Sequence, residues 1–505
     1  VSNFMRRRLP WTLILSSLTA LSSWGDLPAQ ELTPAELAQV DEWYRRTVER
    51  TRDGQWGIAI GTMDGRLLWG LNPELELIPA STVKLFTVGF TRALAGGGAR
   101  ISTRVIGRGS LDSATGKWLG EWQLELGGDP TLERAGRPGP TLRELARQLR
   151  ARGVRVLEGP LALTSRTGPA TSRFPAVWAA DFAGQLYAPP VGPVVLHENT
   201  ISLTVRPGPD VGSPLALISA YPAGVERLIR MRATTSGGRR RRLSLTADPD
   251  GGWTLKGTLG LYARKAGISA VAHEPRAVLG YAWAAALERA GIQWINSHIP
   301  PVTWGGVPTV LAKVESAPLD SMAVEINRRS LNIGAELVLQ WAAASQTMGP
   351  ALLTEHVRTV VGPRAQVQLV DGSGLSELDR VSPLTQMLYL AKYPRLRGAE
   401  RFPLLLPANG KTLRGLRRGM ARGAVHAKTG TLDRAAALAG YLGRPDGILV
   451  LSLMYNGRRA YVARAAEWEL FRLLGAEGVS LSGALDSHMG GENTRGDEEA
   501  DSAER

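Results

Sequence analysis

The sequence predicts a mixed α/β protein of the α+β type: an antiparallel sheet flanked by helices, with β-rich material inserted into its middle. Three observations predict it. Near the N-terminal end, Trp56 to Met63 and Arg66 to Leu71 are β-type runs joined by Asp64-Gly65, a dipeptide suited to the positive backbone angles of a tight hairpin. Near the other end, the apolar runs Ala437 to Leu442 and Ile448 to Tyr455 flank a Gly/Pro/Asp turn, and an amphipathic stretch follows from Tyr461 to Leu474. Between them, residues from about Gly97 to Leu311 show short alternating runs such as Ile201 to Val205, frequent Gly and Pro, and modest helical stretches near Thr141–Ala151 and Pro275–Ala290. The two ends are therefore expected to share one sheet covered by helices, interrupted by one or two β-rich subdomains.

Taken in order, the chain starts with Arg6-Arg7-Arg8, an apolar run from Leu9 to about Trp24, and small residues near Leu27-Pro28-Ala29. That is the order of a secretory signal, with cleavage expected after Ala29. The alternative, an uncleaved anchor, is disfavoured because Pro10 and several serines make the run short and weak for a bilayer. A helix follows: Thr33 as cap, Pro34 in the first turn, Glu36 completing a capping box, and Leu37, Val40, Tyr44 and Val48 on one face. After Pro79, Ser81 to Leu94 reads as a helix ended by three glycines, and Val425 to Lys428 as a short strand. The expected layout is a signal over 1–29, the first part of the main domain over 30–96, the insert over 97–311, the second part over 312–480, and a polar, disordered tail over 481–505.

At 505 residues, with 44% apolar and 21% charged residues, the chain has room for two or three globular domains. It contains no cysteine, which excludes disulfides, thiol catalysis and cysteine metal sites. Its six histidines show neither His-x-x-x-His nor His-Glu-x-x-His spacing, two common metal-site patterns. The formal charge of +14 would suit a nucleic-acid partner, but no aromatic-basic alternation or helix-turn-helix pattern accompanies it. The one cluster, Arg239 to Arg242, reads as a solvated loop tip. Attraction to an anionic wall or membrane surface is the more natural use of this charge in an exported protein.

Three short strings carry the chemistry: Ser81-Thr82-Val83-Lys84, Ser330-Leu331-Asn332 and Lys428-Thr429-Gly430-Thr431. A serine hydroxyl must pass its proton to a base before it can attack. Lys84, one helical turn beyond Ser81, can take it if held neutral, and burial plus a second cation, Lys428, both push in that direction. The backbone N–H groups of Ser81 and Thr431 are candidate donors to an oxyanion. Ser330 is a candidate proton relay to a leaving amine, and Asn332 a bridge between Lys84 and a substrate carbonyl. Lys428, Thr429 and Thr431 are suited to gripping a carboxylate, and Gly430 lets a substrate backbone lie close, because any Cβ would intrude. Ser-x-x-Lys and Ser-x-Asn alone are weak, since they recur by chance as helix caps and turns; Lys-Thr-Gly-Thr is rarer, though in isolation it is as often a strand ending in a turn. Their joint order on a helix start, a helix-flanking loop and a strand is specific.

On these residues the chain resembles the penicillin-binding protein 4 group of D-alanyl-D-alanine carboxypeptidases/endopeptidases, peptidase family S13. The resemblance runs from about Trp56 to Tyr455. Pro79 to Leu85 looks like the nucleophile segment, and Gly127-Gly128-Asp129-Pro130-Thr131-Leu132, Tyr187-Ala188-Pro189-Pro190 and His197-Glu198-Asn199 resemble the inserted region. Asp371 to Ser376 with Arg380 to Pro383, and Ala427 to Leu432 with Ala439-Gly440-Tyr441, complete it. The chain departs in having Ser-Leu-Asn for the usual Ser-Asp-Asn, and in a shortened Asn409-Gly410-Lys411-Thr412-Leu413 loop, which bears on the rim and on substrate preference. The resemblance implies a penicillin-binding/β-lactamase-like domain with β-rich insertions and neither a metal nor another cofactor, with which the histidine spacing agrees. It also implies an acyl-enzyme on Ser81, peptidoglycan peptides ending in D-Ala-D-Ala and β-lactam antibiotics as partners, and an extracytoplasmic location in the periplasm or cell envelope. A class A β-lactamase carries the same strings, but its first two lie close together, whereas here about 246 positions separate Lys84 from Ser330. A non-catalytic wall-binding relative is the other alternative, disfavoured by the full set of polar groups.

Overall fold

The computed structural model describes residues 30–297, 307–416 and 420–488. The expected signal segment over 1–29 lies outside the described residues, as does most of the expected tail. The start of that tail requires a correction: Leu481–His488 is a helix, with Leu481, Ala484 and Leu485 buried. Its apolar residues at i, i+3 and i+4 provide one face for packing, which composition over the whole tail concealed. Among the described residues, no helix is long and apolar enough to cross a membrane.

The described residues divide into two compact units, one drawn from 30–89, 354–369 and 379–488, the other from 90–353 and 370–378. The first unit is built on a five-stranded antiparallel sheet in the order Val425–Leu432, Ala435–Arg444, Gly447–Gly457, Gly54–Thr62, Leu67–Leu71. The N-terminal hairpin thus sits against strands from the far end of the chain, with Trp56 opposite Tyr455 and Ile58 opposite Leu453. Nearly every residue of the two central C-terminal strands is buried, on both faces, as expected for strands covered by helices on each side.

One cover is the helix Pro34–Arg50, which has the expected capping box: Thr33 Oγ1 accepts from the Glu36 N–H and Glu36 accepts from the Thr33 N–H. Its buried stripe is Val40, Trp43 and Thr47, with Leu37 and Tyr44 at the margin, so the face is turned by about one residue from the sequence expectation. Trp43 accounts for the turn, since its indole N–H donates to Ala466 O at 3.0 Å on the helix Ala460–Leu474. Pro383–Lys392, capped by Ser382, packs on the central strands. Its Tyr389 meets Phe86 edge-on at 4.9 Å, which ties in the helix Val83–Ala95.

Tyr389 also meets His356, whose Nε2 lies 3.0 Å from the phenol oxygen. Burial lowers the His356 pKa to about 4 from 6.5. Between those values the unfolded chain binds a proton that the native protein does not, so stability is present above pH 6.5 and lost as pH falls towards 4. The loss has an upper bound of about 3 kcal/mol, reduced by the ring's remaining contact with solvent. Urea midpoints across this range are expected to fall less steeply for His356→Gln than for wild type. Parallel pH dependences would contradict the assignment.

Among the described residues, the second unit contains three sheets. A six-stranded sheet runs Gln293–Ile295, Val156–Glu158, Lys117–Leu126, Ser102–Asp112, Thr309–Glu315, with Leu163–Ser165 attached to its middle strand. Its core includes Trp122 and Trp283 and is covered by the helices Leu142–Ala151 and Pro275–Arg289. A three-stranded sheet centres on Thr200–Arg206, and a four-stranded one on Trp253–Gly260. The latter contains the strand Arg241–Ala247, and all four residues from Arg239 to Arg242 are exposed. The unit also holds two consecutive helices, Leu319–Arg329 and Asn332–Ala342.

Candidate active site

In the first unit, Ser81 lies in a single 3-10 turn, Ala80–Thr82, that runs directly into the helix Val83–Ala95. Ala80, fully buried, holds φ at +48°. A left-handed conformation costs an L-residue about 1–2 kcal/mol, so the chain is sharply redirected just before the nucleophile candidate. Nothing in an alanine signals this from sequence. Lys84 follows one turn later, fully buried, and its Nζ donates to Ser81 Oγ at 3.0 Å.

The strand Val425–Leu432 forms the end of the sheet, with Lys428 opposite Ala439 and Gly430 opposite Ala437. The sequence expectation ended this strand at Lys428, but the ladder carries the whole Lys-Thr-Gly-Thr string. Lys428 and Gly430 share one face by the period of two. On that face, a Cβ at Gly430 would come 2.6 Å from Pro79 O and 3.0 Å from Ser81 N. Glycine is thus required for the strand to approach the nucleophile turn. Lys428 is buried, and its Nζ donates to Thr429 O at 2.7 Å. Its pKa is lowered well below the usual lysine value, first by burial, then by repulsion from Lys84 and from Arg464.

Arg464 escaped sequence reasoning. It projects from the helix Ala460–Leu474, donates to Gly430 O, to Thr431 Oγ1 at 2.9 Å and to Ala437 O at 2.7 Å, and is anchored by the buried Glu467. Burial pushes Glu467 up to about 7 although Arg464 pulls it down. One arginine therefore binds the second half of the third string to its neighbour. An arginine at i with a glutamate at i+3 was the available signal, but the same spacing is commonplace on exposed helix faces. The shortened loop before this strand closes on itself: Asn409 Oδ1 accepts from Val425 N–H at 3.0 Å and its Nδ2 donates to Ala421 O at 2.9 Å.

In the second unit, Ser330 ends the helix Leu319–Arg329 with φ +53° and ψ +45°, a position usually given to glycine. Leu331 folds back over Gly334, where a Cβ would come 2.8 Å from its side chain. Asn332 opens the next helix and donates through Nδ2 to Tyr187 O at 2.8 Å. Also in this unit, the Asp371 carboxylate collects the N–H groups of Ser373, Gly374, Leu375 and Ser376 at 2.6–3.0 Å and the Trp178 indole N–H at 3.0 Å. Glu336 accepts from the Gly372 N–H at 3.0 Å and so fastens this nest to the helix of Asn332. The two glycines of Asp-Gly-Ser-Gly were a visible sign of a tight loop; the carboxylate at its centre was not. Ser81, Lys84, Lys428, Thr429, Gly430 and Thr431 thus share the first unit, while Ser330 and Asn332 belong to the second.

The fold is that of penicillin-binding protein 4. The chain matches penicillin-binding protein 4 from Haemophilus influenzae over 85% of its own length and 99% of that chain, with a TM-score of 0.67 at 18% identity. The same protein complexed with a β-lactam matches with a TM-score of 0.64 at 19% identity. The chain belongs to the D-Ala-D-Ala carboxypeptidase 3 (S13) family, whose profile matches residues 38–475, and is therefore a serine peptidase. It is 29% identical over 430 residues to a D-alanyl-D-alanine carboxypeptidase of Actinomadura sp. (strain R39), covering 79% of this chain and 77% of that one.

Proposed function

We propose that the protein is an exported D-Ala-D-Ala carboxypeptidase and DD-endopeptidase that trims peptidoglycan stem peptides through an acyl-enzyme on Ser81 and is acylated there by β-lactams. The observation that carries this reading is the buried Lys84 amine 3.0 Å from Ser81 Oγ, with the buried Lys428 repelling it. Two ammonium groups in one dry space are costly: burial first, and then repulsion from Lys84, lowers the Lys428 pKa. The reading requires Lys84 to be the amine that accepts the Ser81 proton.

Ser81 Oγ attacks the carbonyl carbon between the two alanines as its proton passes to Lys84 Nζ. The oxyanion is met by the backbone N–H groups of Ser81 and Thr431, which the close seating of Gly430 against Ser81 N supports. Lys428, Thr429 and Thr431 hold the terminal carboxylate, and Asn332 the peptide carbonyl. The C–N bond then breaks, the leaving amine takes a proton through Ser330, and water later frees the acyl group and restores Ser81. A substrate lying along the edge strand would be held by main-chain hydrogen bonds as an added strand.

Digestion of purified wall peptides, read by mass, tests this. Expected products are free D-alanine from pentapeptides and monomers from cross-linked dimers. A wild-type protein that releases neither contradicts it. Rapid turnover of penicillin would favour a β-lactamase instead.

A further inference from the structure

His197, Glu198 and Asn199 have φ of +49°, +59° and +52°, three consecutive left-handed residues of which none is glycine. Left-handed residues normally occur singly, so the surroundings must hold this turn. They do: the His197 N–H donates to Leu132 O at 3.0 Å, Thr200 Oγ1 donates to His197 O at 2.8 Å, and the Ala272 N–H donates to Asn199 O at 2.9 Å. Asn199 is 1% exposed, donates to Pro190 O at 2.9 Å and Val194 O at 3.1 Å, and accepts from the Leu196 N–H at 3.2 Å.

This turn is bonded to the residue just before the second string and to the segment that receives its last residue, all within the second unit. Glu198 forms a two-pronged pair with Arg329, Oε1 with Nη1 and Oε2 with Nη2 at 2.7 Å. Such paired forks fix direction as well as distance. Arg329 is the residue immediately before Ser330, itself left-handed. Asn199, through Pro190 O, braces the Tyr187–Pro190 segment whose Tyr187 O receives the Asn332 amide.

We propose that the His197-Glu198-Asn199 turn is a positioning bracket for the second string, and that Glu198, acting through Arg329, sets the orientation of the Ser330 hydroxyl during acylation. This rests on the reading of Ser330 as a proton relay. The plain alternative is that the pair only stabilises the fold.

The test measures second-order acylation by a fluorescent penicillin for wild type, Glu198→Gln, Ser330→Ala and the double variant, with thermal midpoints alongside. Glu198→Gln is isosteric and is expected to acylate about 10- to 100-fold more slowly at an unchanged midpoint, the scale of a small misplacement of a reacting group. The double variant is expected to be no slower than Ser330→Ala, because a residue acting through Ser330 has nothing left to orient. If Glu198→Gln lowers the midpoint, Arg329→Lys, which keeps the charge and loses the fork, is read the same way. Wild-type acylation by Glu198→Gln, or equal slowing with and without Ser330, overturns the bracket while leaving the relay intact. Wild-type acylation by Ser330→Ala overturns the relay reading itself, and the bracket with it.

Discussion

Ser81→Ala is expected to reduce peptide hydrolysis by on the order of 10⁴-fold or more and to abolish labelling by fluorescent penicillin, while leaving the fold intact. The size follows from the chemistry: without the hydroxyl no acyl-enzyme forms, and Lys84 is left with no oxygen to deprotonate. The structural cost is small. One hydrogen bond, from Lys84 Nζ, is lost, worth about 1 kcal/mol, and Ala80 and Thr82 on either side keep their burial. Labelling is read on a gel and unfolding by circular dichroism. A labelled alanine variant would show that another residue carries the acyl group.

Lys428→Met is expected to do two opposite things. Lys428 is buried, beside Lys84 and Arg464, and its pKa is lowered well below 10.5. A lowered lysine pKa means that the unfolded chain takes up a proton the native protein resists, so stability rises with pH from the native value up to 10.5. At neutral pH the residue is therefore a burden. An apolar side chain of similar length removes it, for a gain of about 1–2 kcal/mol and a rise of several degrees in Tm. The gain narrows as pH climbs towards 10.5, where the unfolded lysine loses its proton too. Activity moves the other way, by about 10³-fold in kcat/KM, because the carboxylate clamp and the repulsion on Lys84 disappear together. A variant that is less stable at neutral pH, or one that keeps its activity, would contradict the electrostatic account.

The elements legible in the sequence were those with strong local punctuation. Asp64-Gly65 marked a hairpin, the Thr33/Glu36 box marked a helix start, and unbroken apolar runs marked the central C-terminal strands; all appear within a few residues of their expected bounds. The errors arose where tertiary partners decide. Trp43 turned the first helix because Ala466 O, over 400 residues away, receives its indole N–H. Lys-Thr-Gly-Thr reads locally as a strand end, yet the ladder to Ala435–Ala439 continues through it. The helix after Val479 escaped notice because its few apolar residues were averaged into a polar tail.

The site divides in the same way. The residues with unusual chemistry at fixed spacing, Ser81 with Lys84 and the string from Lys428 to Thr431, were visible because the nucleophile needs a base one turn away. Less was legible of what surrounds them. Ala80 redirects the chain through backbone conformation, which leaves little mark on residue type, and Arg464 acts through backbone carbonyls brought near by folding. In the second unit, Ser330, His197-Glu198-Asn199 and Asp371 stood out in the sequence, but their left-handed backbone angles and hydrogen-bond partners did not.

The central claim is an acyl-enzyme on Ser81, and intact mass spectrometry after brief exposure to benzylpenicillin tests it most directly. One adduct per chain is expected, heavier by the whole penicillin molecule because the opened ring stays attached, and located by peptide mapping to the segment containing Ser81. No adduct on the folded protein, or an adduct on a peptide elsewhere in the chain, would contradict it.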